Sequence, residues 1–150
     1  MIIDIIFLDV DGVLIPDTNA QRNSFDAQCV KQLRRILEDC PNTYVVFSTS
    51  KRLGFALFTL GWYWCHFDLP LERVVSRTPD SKSAHRGEEI EKWLKEAPRI
   101  IPKHTIRRYA VIDDEPGAIF EKITEQSVFF CDSCSGLTKS IADRVIQYFN

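Results

Sequence analysis

Apolar residues gather along the chain in short runs of strand length at Ile5–Val10, Tyr44–Phe47, Tyr109–Ile112 and Val128–Phe130, with a shorter run at Val74–Val75. The runs are rich in Val, Ile and Phe and do not alternate with polar residues, the pattern of strands covered on both faces. Between them, apolar positions recur at helical spacing. Phe25 to Glu38 places Cys29, Leu33, Ile36 and Leu37 on one face, Gly87 to Glu96 places Ile90, Trp93 and Leu94, and Ser140 to Phe149 places Ile141, Val145, Ile146 and Phe149. Fainter helical patterns cover Lys51–Leu60 and Pro116–Thr124. Strands alternating with helices predict an α/β domain, an open and mainly parallel sheet with helices on both faces. The 150 residues fit a single such domain spanning 1–150, and no repeat or low-complexity linker divides them.

Composition narrows the class without naming it. Hydrophobic residues make up 45% and charged residues 27%, as expected of a water-exposed domain with a real core, and no apolar run approaches the length of a membrane span. The apolar N-terminus is broken by Asp4 and Asp9 and has no basic leader, so it reads as a strand rather than a signal peptide. A formal charge of −2 gives no bulk attraction for nucleic acid, although a local basic groove is compatible with it. The five cysteines, Cys29, Cys40, Cys65, Cys131 and Cys134, are an odd number in a chain that needs no staples, which predicts reduced thiols in a cytoplasmic protein. Cys131 and Cys134 have CxxC spacing but no second pair to complete a zinc site, and read as ordinary thiols.

The candidate chemistry lies where the strands end. "IIDIIFLDVDGVLIP", Ile2 to Pro16, closes an apolar run with two carboxylates one residue apart, Asp9 and Asp11, and then Gly12. Crowded carboxylates repel and are costly to bury, so such a pair usually has a cation to hold it or a proton to carry. The second strand is followed by Ser48, Thr49 and Ser50, and the "YAVI" strand by Asp113 and Asp114. In open α/β sheets ligands bind at the carboxyl ends of the strands, so these polar residues converge on one place. Oxygen-only ligands favour Mg²⁺ over zinc, and a divalent cation suits phosphoryl chemistry. Hydroxyls at Ser48–Ser50 are placed to hold phosphoryl oxygens, and Lys82 or Arg86 to supply a balancing positive charge. One carboxylate of the pair would then attack phosphorus while its neighbour handles the proton.

"FLDVDGVL", "VVFSTS" and "AVIDD", in this order, resemble the haloacid dehalogenase (HAD) superfamily of aspartate-nucleophile phosphohydrolases. "FSTSKR", "RTPD…HRGEEIEKWL", "YAVIDDE" and the late "GLT" extend the likeness to small HAD-like domains associated with RNA-repair proteins. The resemblance implies a Rossmann-like fold and a Mg²⁺-dependent phosphatase with Asp9 as nucleophile and Asp11 as general acid and base. It implies Ser48 on the phosphoryl group, and Mg²⁺ bound by Asp9, Asp11 through its backbone carbonyl, Asp113 and Asp114. The family's third motif is usually a lysine. Here Arg86 fills the slot before "GEEI" while Lys82 stands four residues earlier, and the two cations are not equivalent. Thr49 and Arg52 are further candidates for substrate contact. Neither the stretch after Leu14 nor that between Leu60 and Pro79 has room for a large cap, which within this family implies an open cleft and a bulky substrate such as a nucleic-acid end or a phosphoprotein.

Two other readings remain in view. A non-catalytic HAD-like module would bind phosphorylated partners without needing the nucleophile, and a receiver-type signalling domain would put its acidic pair and its phosphorylated aspartate on different strands. The aromatic stretch "GWYWCHF", Gly61 to Phe67, reads as core or subunit contact before it reads as a base-stacking surface. His66 and His85 have no partner at ligand spacing, and Arg34–Arg35 and Arg107–Arg108 read as surface charge.

Overall fold

The computed structural model describes residues 1–18, 24–48, 57–79, 85–115 and 123–150. Five parallel strands form one sheet: β1 (Ile2–Leu8), β2 (Thr43–Phe47), β3 (Val74–Arg77), β4 (Thr105–Asp113) and β5 (Val128–Phe130), in the spatial order β3-β2-β1-β4-β5. Four α-helices are described: α1 (Ala27–Asp39), α2 (Leu57–His66), α3 (Arg86–Ile100) and α4 (Lys139–Phe149).

Side chains on a strand alternate between faces, and this alternation divides the core in two. Ile6, Leu8, Val45, Phe47, Ala110 and Ile112 face α1, α2 and α4, meeting Leu33, Ile36, Trp64, Val145 and Phe149. Ile3, Ile5, Phe7, Val46, Val111 and Val128 face the other way, where α3 supplies Ile90, Trp93 and Ala97. Edge-on aromatic pairs lock each side, Phe47 on Trp64 at 5.6 Å and Phe7 on Trp93 at 5.4 Å between ring centroids. Both faces are thus buried, which is why the strands read as unbroken apolar runs.

The chain runs outward from β1 to β2 and β3, then returns through α3 to β4 on the other side of β1. Right-handed crossovers put α1 and α2 on one face and α3 on the opposite one. The reversal makes the β1/β4 junction a topological switch point, the place where open α/β sheets bind ligands beyond the carboxyl ends of their strands.

Several boundaries move from their sequence expectation. The first strand ends at Leu8 rather than Val10, and α3 continues past Glu96 to Ile100 despite Pro98, which has no amide to donate to the preceding turn. The helix expected at Lys51–Leu60 is described as α2 from Leu57 to His66, so "GWYWCH" is helical, with Trp64 fully buried and Trp62 57% exposed against His66. The expected helix at Pro116–Thr124 falls almost wholly outside the described residues. The arginine pairs are more than surface charge. Arg107 grips the buried Asp4 through two nitrogens, and Arg34 donates to the carbonyl of Phe67 at 2.7 Å. All five cysteines are free, with Cys29, Cys40 and Cys131 buried. Among the described residues no helix is long and apolar enough to cross a membrane.

Candidate active site

The hydrogen-bond ladder of the sheet continues one residue beyond the apolar strands. Thr78 N donates to Phe47 O at 2.8 Å, Ser48 N to Leu8 O at 2.9 Å and Asp9 N to Ile112 O at 3.0 Å. Extended by these bonds, the register sets Thr78, Ser48, Asp9 and Asp113 in one row across β3, β2, β1 and β4. By alternation the row lies on the α3 side, in line with Val46, Phe7 and Val111. All four residues are at most 1% exposed, so the floor of the crevice is polar but withdrawn from water.

Arg86, the first residue of α3, closes over this row. Its Nη1 lies 2.9 Å from Asp9 Oδ1 and 2.7 Å from Asp113 Oδ2, and donates to the carbonyl of Ser48 at 3.3 Å. The sequence put Arg86 and Lys82 forward for one role, and the structure brings Arg86 onto both carboxylates. Lys82, Thr49 and Arg52 lie outside the described residues.

Asp9 is followed by a tight turn. The amides of Val13, Leu14 and Ile15 all donate to the carbonyl of Val10, and Gly12 N donates to Ile15 O at 2.9 Å. Asp11 sits half-buried in this turn, bridged to Ile15, so the two carboxylates are presented by a turn and not by one continuous strand. Gly12 has φ +76°, and a Cβ there would come within 2.1 Å of Asp114 Oδ2. Glycine is needed on both counts, backbone conformation and the close approach of the carboxylate.

Asp9, Asp113 and Asp114 each offer a carboxylate oxygen within 4.8 Å of the others. Asp113 is held by Arg86 and by the amide of Glu115, which donates to its Oδ1 at 3.0 Å. Asp9 is not held in this way: Arg86 approaches it as an ion, but neither of its oxygens receives a hydrogen bond. Asp114 Oδ1, Ser48 Oγ and Thr78 Oγ1 are likewise buried without a partner. Burial pushes the carboxyl of Asp9 well above the ordinary range, and the neighbouring Asp113 adds to it while Arg86 opposes. Asp113 is pushed up by burial to about 6, against the pull of Arg86. Burial works against the charge of Arg86, but Asp9 and Asp113 more than offset it and hold the guanidinium protonated.

Among the described residues three carboxylates share the site with one guanidinium, an excess of acidic groups that a divalent cation would offset. The donor set is all oxygen, with two oxygens on Asp9 and one on Asp114 lacking a hydrogen bond, and it fits a hard cation such as Mg²⁺. The nearby thiol of Cys131 does not join that set. It is buried, and burial raises its pKa far above the ordinary value, so it stays a neutral thiol. Thr78 is the residue in the row that the sequence reading passed over. The available signal was a hydroxyl just after a strand, the same signal that marked Ser48.

A family model for the HAD domain in Swiss Army Knife RNA repair proteins matches residues 5–142. Neither a curated protein nor a solved structure matches the chain.

Proposed function

The chain belongs to the family of HAD domains found in Swiss Army Knife RNA repair proteins, and from that membership we propose that it is a Mg²⁺-dependent phosphomonoester hydrolase working through an aspartyl-phosphate on Asp9. The observation that carries this reading is the state of Asp9, fully buried at the end of β1 with an ion pair to Arg86 as its compensation and no well-aligned donor on either carboxylate oxygen. An acceptor buried in that condition is costly for the fold and is what an in-line nucleophile requires.

In the proposed reaction an Asp9 oxygen attacks phosphorus and the bond from phosphorus to the leaving oxygen breaks. Asp11, two residues on, gives the departing oxygen its proton. Water then attacks the aspartyl-phosphate, Asp11 takes a proton from it, and inorganic phosphate leaves with Asp9 regenerated. Asp9, Asp113, Asp114 and the backbone carbonyl of Asp11 would hold Mg²⁺, which when bound neutralises phosphoryl oxygens as charge develops. Ser48 donates to the transferring group, and Arg86 opposes the rise that burial imposes on the Asp9 carboxyl.

The substrate is proposed to be bulky, a nucleic-acid end before a phosphoprotein. The family's association with RNA repair supports this reading, as does the lack of room in the sequence for a large cap.

The test is phosphate release from p-nitrophenyl phosphate and from 3′- and 5′-phosphorylated oligonucleotides, with Mg²⁺ and with EDTA, using Asp9→Asn as the blank. Metal-dependent release that the variant lacks supports the phosphatase. Binding of phosphorylated oligonucleotides with no release from any substrate would replace it with the non-catalytic binding module.

A further inference from the structure

Ser76 and Thr78 stand two residues apart on the same face of the strand region around β3, and only one of them has its hydroxyl satisfied. Trp93 Nε1 donates to Ser76 Oγ at 2.8 Å, which ties the strand to α3. Thr78 is 1% exposed, and its Oγ1 has no partner. A valine would fill nearly the same space in a strand without burying an unmatched hydroxyl, so packing gives no reason for threonine here. Ser48, its neighbour in the row, is fully buried and equally unpaired.

Paired strands lie about 4.8 Å apart, so the two hydroxyls stand side by side at the carboxyl edge of the sheet. That separation suits two donors reaching two oxygens of one tetrahedral anion. Among the described residues the cation at this row is already engaged, because Arg86 Nη1 is shared between Asp9, Asp113 and the carbonyl of Ser48. On the β2–β3 side the described residues offer an anion two neutral donors without a partner, Ser48 Oγ and Thr78 Oγ1.

We propose that Thr78 is a substrate-binding residue, a second hydroxyl of the phosphate cradle that donates with Ser48 to the phosphoryl group set before Asp9. The inference rests on the phosphatase reading of the site. Thr78 lies one strand further from Asp9 than Ser48, on the periphery of the reacting group, so it contributes to the bound substrate and to the transition state alike. Its loss is then read mainly in KM.

The experiment compares Thr78→Val and Thr78→Ser with the unaltered chain, using p-nitrophenyl phosphate as substrate and inorganic phosphate as competitive inhibitor in Mg²⁺. Thr78→Val is expected to melt no lower than the unaltered chain, and to raise both KM and the inhibition constant for phosphate about tenfold, the worth of one hydrogen bond, with kcat changed less than about twofold. Thr78→Ser restores both constants. If Thr78→Val folds and binds substrate and phosphate as the unaltered chain does, Thr78 is not in the cradle, and the phosphatase reading stands. If Thr78→Val melts lower, Thr78→Ser decides: a serine variant of normal stability whose KM and phosphate affinity are both impaired overturns the inference. If the unaltered chain releases phosphate neither from p-nitrophenyl phosphate nor from the phosphorylated oligonucleotides, both readings fall together.

Discussion

Arg86 and Asp113 meet at 2.7 Å, joining the first turn of α3 to the carboxyl end of β4 in a pair almost closed to water. The same Nη1 reaches Asp9 at 2.9 Å, so one guanidinium separates two buried carboxylates that would otherwise face each other uncompensated. Removing one partner of a buried ion pair costs more than the pair contributes, since the remaining charge has neither water nor counter-ion. Arg86→Ala is expected to lose about 3–5 kcal/mol of stability in urea titrations at pH 8. The loss should shrink at pH 5, where the stranded carboxyls take up protons. An equal loss at both pH values would mean that Arg86 acts by packing and not by charge.

The raised carboxyls set the sign of the pH dependence. Burial lifts Asp113 from 3.8 to about 6 and moves Asp9 in the same direction, so between these values the folded chain binds more protons than the unfolded one. Stability then falls as pH rises through that window, the Asp113 contribution being lost once the pH passes about 6. Without added metal, urea midpoints measured from pH 4 to pH 7 should decline, with the Asp113 share no larger than about 3 kcal/mol. Saturating Mg²⁺ should flatten the decline by favouring the ionised carboxylates. Asp113→Asn should flatten it in part without metal, and an unaltered slope in that variant would remove Asp113 as its source.

Much of this site could be read from the chain because each functional residue follows an apolar run. Asp9, Ser48 and Asp113 each stand one step past such a run, or at its end, and a parallel sheet places those steps side by side. Thr78 escaped notice because its strand has only Val74 and Val75 as apolar signal; Ser76 and Arg77 become strand by pairing with β2, not by their own propensity. The Asp4–Arg107 pair was hidden for a different reason. Its members are 103 residues apart, and no local pattern links them. The end of α2 was misplaced because "LFTLGWYWCH" is apolar on nearly every side, which leaves no helical stripe to mark where it stops. Arg86 was legible as a cation near the site, but its position across two carboxylates depends on how α3 crosses the sheet.

Two glycines with positive φ separate a functional role from a structural one. A Cβ on Gly12 would strike Asp114 Oδ2 at 2.1 Å, whereas one on Gly136 would strike the carbonyl of Val13 at 2.6 Å and Cys29 Sγ at 2.8 Å. Each alanine variant should be destabilised by about 1–3 kcal/mol from backbone strain alone. Only Gly12→Ala also displaces a proposed metal ligand. It should raise the Mg²⁺ concentration needed for half-maximal stabilisation in thermal shift, while Gly136→Ala leaves that concentration unchanged. Equal Mg²⁺ response in both variants would take Asp114 out of the cation site.

Asp9 and Asp11 are separable by the step each one serves. Asp9→Asn removes the attacking oxygen and should abolish turnover of every substrate while the fold is kept. Asp11→Asn leaves attack possible but removes the group that serves the proton in both halves of the reaction, a loss of about 10²–10⁴-fold for an alkyl phosphate. With p-nitrophenyl phosphate the first half needs little help, because the leaving phenolate is stable without a proton. The second half still needs a base to activate water. Asp11→Asn should therefore release a rapid burst approaching one p-nitrophenolate per chain and then turn over slowly, with the phosphoryl group retained on the protein after quenching in acid. A linear time course with no phosphoryl label on the chain would mean that Asp11 does not act on the aspartyl-phosphate, and the two-step division between the carboxylates would have to be abandoned.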